Sequence, residues 1–528
     1  MRRWFLLLLL SGLALPLAAE RTRFWRQDSY ADFEKGTARG VALRSDGELE
    51  LAPRYRELAD PDLEFLWAVA EDRRGNIYVG GGSPAKVFKV DAAGETTLVF
   101  ESQELEVHAL VAHRKSGTLY VATSPDGSVY RIPPKGEASL LFEPKSKYLW
   151  DLVQHPNGTL YLATGDKGKI FRITPEGTGE VFFASEETHV RTLALDAAGN
   201  LYAGTEPNGL VLRISPAGEA FVVYEMPRKE VTALRFDPAG YLYVAAIGQK
   251  IPPPAFPTAA PRPVLPTQPR PTTPTATTTV TVTASGAPRV TPTPRLPFPA
   301  VGGSDIYRIA PDGYPEPLWS SPTDLVYSLA FDAQGRLLAG TGNQGKLLAI
   351  DSPTLFSYLV QSSSQQITAL RRSANGRVYL ATANPGKLFA VGPDLEAEGS
   401  FESIVFDAEI FSHWGRIQWR SRNTPAPGSV QLFTRSGNTS DPQRNWSVWS
   451  LAYAEPSGTR ITSPAARFLQ WKALLRARDT STPGLSGVSV AYLRRNIAPV
   501  VEKVIVQSPG VGLRSVPTAP QQSPPAQL

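Results

Sequence analysis

The stretch Val190–Tyr224, VRTLALDAAGNLYAGTEPNGLVLRISPAGEAFVVY, decides the fold, because variants of it recur along most of the 528-residue chain. It contains four short apolar, β-prone runs. Val190–Leu195 and Asn200–Thr205 flank Asp196-Ala-Ala-Gly199, with Asp at the first turn position and Gly where a positive φ is needed. Leu210–Ile214 and Ala220–Tyr224 repeat the arrangement across Ser215-Pro-Ala-Gly218. The unit reads as a four-stranded antiparallel meander.

Seven copies follow from the second-strand marker: Tyr78, Tyr120, Tyr161, Tyr202, Tyr243, Leu338 and Tyr379. The spacing is 41 or 42 residues, except for the 95 between Tyr243 and Leu338, so the fifth unit carries about 54 extra residues. Third strands beginning at Val87, Val129, Ile170, Val211, Ile306, Leu347 and Leu388 place that insertion between strands two and three of its unit. A lone meander cannot bury both faces, whereas radially stacked ones can. The expectation is therefore an all-β chain, a seven-bladed β-propeller over 66–398, with a C-terminal β-sandwich over 399–505. The period-two pattern and the density of Gly and Pro exclude a helical solenoid.

The pattern D-x-x-G-x-L-Y-V-A-T followed by G-x-V-x-R-I resembles that of secreted bacterial propellers of the NHL, virginiamycin-lyase-like and gluconolactonase-like kinds, over roughly residues 66–393. The resemblance implies the fold. A lyase or lactonase of those kinds would need a metal held by His or carboxylate and Asn ligands at the tunnel mouth. Of the five His, this reading places only His108 there, so no catalytic residue is carried over.

Around the repeats, Met1-Arg-Arg-Trp-Phe-Leu and the apolar Leu6–Leu17 read as a signal peptide over 1–19, too short to span a bilayer comfortably. After its cleavage no stable membrane insertion is expected, and the protein is expected to be periplasmic or secreted. With no Cys, disulfides, thiol nucleophiles and thiolate metal sites are excluded. A net charge of +5 is scattered rather than massed, so nucleic-acid binding has no support. Residues 20–65 contain a hairpin about Asp46-Gly47. One of its strands, or Phe401–Phe406, which is favoured, should supply the outer strand of the last blade. The insertion, 250–303, holds 15 Pro among residues 251–300 and reads, like the tail 506–528, as disordered.

The second residue of each innermost strand gives a ring at one mouth of the tunnel: Trp67, His108, Trp150, Arg191, Thr232, Tyr327 and Thr368. Aromatic faces there suit stacking, with His and Arg as donors, against the alternative that the ring merely packs between blades. The loops above add Asp166, Glu206, Asn208 and Asn343. In the C-terminal region Trp419 and Trp471 alternate as core residues, while Trp446 and Trp449, within a polar stretch, are candidates for a glycan platform. That region loosely resembles discoidin-like carbohydrate-binding domains, through Arg435-Ser-Gly-Asn-Thr-Ser440 and Trp446-Ser-Val-Trp449. Asp72, Asp196, Asp237 and Asp332 each open a tight turn and read as turn caps rather than calcium ligands. No cofactor and no metal is expected. The function expected is an exported, non-enzymatic binding or scaffolding protein for protein or glycan partners, and the alternative is a metal-dependent lyase or lactonase.

Overall fold

The computed structural model describes residues 21–113, 115–250, 302–422, 429–478 and 482–495. The stretch expected to be a signal peptide, nearly all of the insertion and the tail 506–528 lie outside them. The described chain is mostly strand, and its helix, Tyr30–Phe33, is one turn capped by Ser29.

The repeat unit forms as its sequence dictates. His189–Leu195, Leu201–Glu206, Leu210–Ile214 and Ala220–Glu225 pair in order as an isolated antiparallel sheet, and two further four-stranded sheets are built the same way. Turn chemistry sets each register. Asp196 Oδ1 accepts the N–H groups of Ala198 and Asn200 at 2.9 and 2.8 Å. Asp72, Asp237 and Asp332 do the same two and four residues on. These carboxylates are spent on their own turns, as the sequence suggested.

The marker residues pack between neighbouring sheets. Tyr202 meets Phe236 of the next innermost strand edge-on at 5.0 Å, and Tyr243 meets Phe331 likewise at 5.2 Å. Each such contact packs two half-buried aromatics between successive units. Residues from every innermost strand line one continuous central cavity, so the sheets stand around a tunnel as the blades of a β-propeller.

The structure corrects the closing strand. Neither Phe401–Phe406 nor the hairpin completes the last unit. Strand Pro53–Glu71 does, with Tyr55 opposite Val391, Glu57 opposite Phe389 and Ala59 opposite Leu388, before continuing as the innermost strand of the first unit. The ring is thus latched by pairing residues over three hundred positions apart. Stacking of Tyr55 on Phe389 at 4.9 Å and the ion pairs of Lys387 with Glu57 and Asp60 support it.

The hairpin forms about Gly47 (φ 81°), as expected, but joins two bodies. Val41–Arg44 pairs with Leu355–Gln361, the outer strand of its unit, and Leu49 pairs with Leu485. Through it, one sheet runs from the ring into the C-terminal strands Phe406–Arg422, Ala466–Arg476 and Gly484–Arg494. The C-terminal body also takes residues from before the ring: Arg23–Gln27 pairs with Gly484–Arg494, and Thr37–Arg39 with Glu398–Glu402. Its core gathers Trp25, Phe33, Phe401, Trp414, Trp419 and Trp471. Trp471 Nε1 donates to Gln27 Oε1 at 2.7 Å, so even the indole N–H of the most buried Trp has a partner.

Candidate functional site at the tunnel mouth

All seven ring residues named from the sequence line the central cavity, which has a volume of about 1640 Å³. A local device puts them there. Each innermost strand loses register against its neighbour at one point, and the ring residue is the one skipped: Trp67 between Leu66 and Ala68, Trp150 between Leu149 and Asp151, Arg191 between Val190 and Thr192. The same holds at His108, Thr232, Tyr327 and Thr368. A β-bulge leaves its extra residue unpaired and re-aims the side chain. Here it turns the ring toward the tunnel.

The aromatic members touch in series. Trp67 stacks on His108 at 5.7 Å, His108 meets Trp150 edge-on at 5.1 Å, and the Arg191 guanidinium lies 3.8 Å from the centroid of a Trp150 ring. Arg191 Nε also donates to Glu230 Oε1 at 2.7 Å. One cation thus bridges an indole face and a carboxylate.

A second tier, two residues earlier on each strand, went unnoticed in the sequence. Phe65 stacks on Trp67 at 5.5 Å and Tyr148 on Trp150 at 5.1 Å. Glu106 Oε2 is 2.9 Å from His108 Nε2. This contact with His108 holds the Glu106 carboxyl below its usual range against the opposing effect of burial. His189 belongs to the same tier and supports Trp150, while His108 is the ring's own His on the cavity lining. Trp150 Nε1 donates to His189 Nδ1 at 3.1 Å, so the ring proton sits on Nε2. Burial pulls the His189 pKa down, with Arg191 adding to the effect and Glu206, Glu230 and Asp166 opposing it. Gly165 makes room for this pair: a β-carbon there would collide with both Trp150 Nε1 and His189 Nδ1.

Thr232 and Thr368 serve the ring itself. Thr232 Oγ1 donates to Val326 O at 2.7 Å, and Thr368 Oγ1 to Leu66 O, so each ties its unit to the next. Tyr327 faces the cavity and feels both Glu230 and Arg191.

Of the loop candidates, Glu206 pairs with Lys229 at 3.2 Å. Asp166 is exposed at a positive φ of 78°. Asn208 is held by Glu187, through Nδ2 at 2.6 Å and its backbone N–H at 2.9 Å. Asn343 Nδ2 donates to Thr323 O at 2.6 Å. The last two amides are engaged in shaping their loops.

Trp446 and Trp449 are not gathered with the mouth. Trp446 Nε1 donates to Thr439 O at 2.9 Å and its ring stacks near Phe468, while Arg435 and Lys472 both lie over Trp449, at 4.5 and 4.8 Å. Their rings are in use as packing surface. Trp419 and Trp471 are buried core, as read from alternation.

Among the described residues, no three His, Asp or Glu side chains cluster closely enough to hold a metal ion. At the mouth His108 is committed to Glu106 and His189 to Trp150. The donor set therefore does not fit the metal that a lyase or lactonase of the resembling families would require. Among the described residues, no helix is long and apolar enough to cross a membrane.

No protein-family model matches the chain, and no curated protein matches it in sequence. Among solved structures it is similar to virginiamycin B lyase from Staphylococcus aureus, with 13% identity and a TM-score of 0.49 over 65% of this chain and 99% of the lyase. It is similar also to YCF48 bound to D1 peptide (12%, TM-score 0.44, 65% of this chain and 97% of that one). A third is the WD40 β-propeller domain of Doa1 (8%, TM-score 0.46, 64% and 97%). The likeness is to β-propeller proteins at the level of fold, and it carries no activity across.

Proposed function

We propose that this chain is an exported, non-enzymatic binding protein, a seven-bladed propeller with a C-terminal β-sandwich, that takes a glycan or protein partner at the tunnel mouth. The observation carrying the reading is the two-tier mouth itself. Trp67, Trp150 and Tyr327 give the cavity aromatic surface, and His108, Arg191 and Glu230 give it directed polar groups, while Phe65, Glu106, Tyr148 and His189 brace the ring from the second tier. Concave, mostly apolar sites with few placed polar groups are what small ligands select. Bulges aim the ring, glycine clears space beside it, and threonines tie the frame behind it, so the site is formed before a ligand arrives.

Between the two partner classes, the ring faces and the interleaved donors and acceptors favour a glycan, whose C–H faces stack on indole while its hydroxyls pair with carboxylate and imidazole. The test is a glycan and peptide array probed with the mature protein and with Trp150→Ala. Binding to a glycan class that Trp150→Ala loses supports the proposal. Signals unchanged in Trp150→Ala, or none at all on the wild type, would remove it.

A further inference from the structure

Below the mouth the tunnel wall holds a cation that the ring does not explain. Arg235 lies near the end of the strand Arg228–Phe236, three residues beyond Thr232 and so roughly 10 Å down the tunnel. Its Nη1 donates to Leu234 O at 2.8 Å, and among the described residues it has no carboxylate in ion-pair contact. The opposite charge whose field reaches it is Asp151, on the same cavity wall. That carboxylate is already committed: Oδ1 accepts from Leu152 N at 2.8 Å, and Oδ2 from Leu193 N at 2.8 Å and Thr192 Oγ1 at 3.3 Å. Burial lowers the pKa of Arg235, which means that its charge is poorly solvated there. A guanidinium that lines a cavity is a receptor for a planar anion.

Resting on the glycan reading of the mouth, we infer that the ligand is an acidic oligosaccharide, held against Trp67, Trp150 and Tyr327 at the mouth, with a uronic acid carboxylate on Arg235. The wall between them decides the class. Glu230 accepts from Arg191 through Oε1, which leaves Oε2 for a hydroxyl proton of the kind a sugar ring offers and a glutamate side chain does not. A uronide combines hydroxyls with one carboxylate per ring, which matches a lining that carries both acidic and basic groups.

Isothermal titration of the mature protein with trigalacturonate and with neutral galactotriose tests this, using wild type, Arg235→Met and Arg235→Lys. Matching thermal midpoints and circular dichroism establish that the variants fold. A charge-assisted bond predicts that wild type prefers trigalacturonate about tenfold. Arg235→Met should erase the preference while leaving galactotriose binding unchanged, and Arg235→Lys should keep part of it. Equal affinities in wild type, or a preference that survives Arg235→Met, would overturn the inference and leave the glycan reading of the mouth intact. Binding of neither sugar by wild type would overturn both. Triglutamate bound through Arg235 in place of the uronide would overturn the sugar class.

Discussion

At the scale of single residues, His189 is the sharpest reporter of the mouth. Its imidazole accepts the Trp150 N–H, which demands the neutral form, and burial lowers its pKa below the ordinary 6.5. A group with a depressed folded-state pKa contributes stability that is complete above its unfolded value and is lost as pH falls toward the folded one. Thermal midpoints should therefore drop as pH falls below about 6.5, and His189→Gln, which keeps an acceptor and cannot titrate, should flatten that limb of the profile. A profile identical in wild type and variant would show that His189 does not titrate with folding. Gly165→Ala should displace Trp150 and His189 and weaken ligand binding more than it lowers stability; unchanged binding would show that the pair does not form the site.

The ring residues were legible in the sequence because they sit at one offset in every repeat, and the bulge that aims them recurs with it. The tier of Phe65, Glu106, Tyr148, His189 and Glu230 was missed although a strand's period of two puts residues i and i−2 on one side. Trp446 and Trp449 stand apart from the mouth, and the contacts they make could not be read locally. They lie in a polar, proline-containing stretch, while the cations that cover Trp449 come from Arg435 and Lys472, on other strands.

At the scale of elements, repeated threonines and one long strand hold the units in a ring. Thr368 Oγ1 reaches from the last innermost strand to Leu66 O on the first, across the point of closure, and also donates to Ala381 O at 3.0 Å. Thr368→Val keeps shape but leaves Leu66 O without this donor, and should cost about 1–2 kcal/mol in urea unfolding. No loss would mean that water replaces the hydroxyl freely. The four-stranded units were readable because each is local, its turns written by Asp and Gly at fixed offsets. The outer strand of the last one was not. Its pairing of Pro53–Ala59 with Leu388–Leu395 spans most of the chain, and nothing in a local pattern distinguishes the right candidate from Phe401–Phe406.

At the scale of the whole molecule, the N-terminal segment is the part on which both bodies depend. It supplies Trp25 and Phe33 to the C-terminal core, the hairpin between the bodies, and the closing strand of the ring. Buried Glu48 adds an ion pair with Arg422 across this junction, with Arg422 Nε donating at 2.9 Å. A chain beginning at residue 61 should then fail to give a soluble, cooperatively unfolding protein. Retention of a single sharp transition would show that the ring closes by another route. Leu49, fully buried where the hairpin meets Leu485, offers a milder test: Leu49→Ala should cost about 2–5 kcal/mol. The coupling is expected to lower the stability of both bodies together.

The central claim is that the tunnel mouth, rather than the C-terminal tryptophans, receives the ligand. The measurement that tests it most directly is fluorine NMR of protein labelled with 5-fluorotryptophan, with Trp67, Trp150, Trp446 and Trp449 assigned by single Trp→Phe variants. The titrant is a mixed hydrolysate of neutral and acidic oligosaccharides. The account predicts that the Trp67 and Trp150 resonances shift in a saturable way while those of Trp446 and Trp449 stay in place. Shifts confined to Trp446 and Trp449, or none at any of the four, would contradict it.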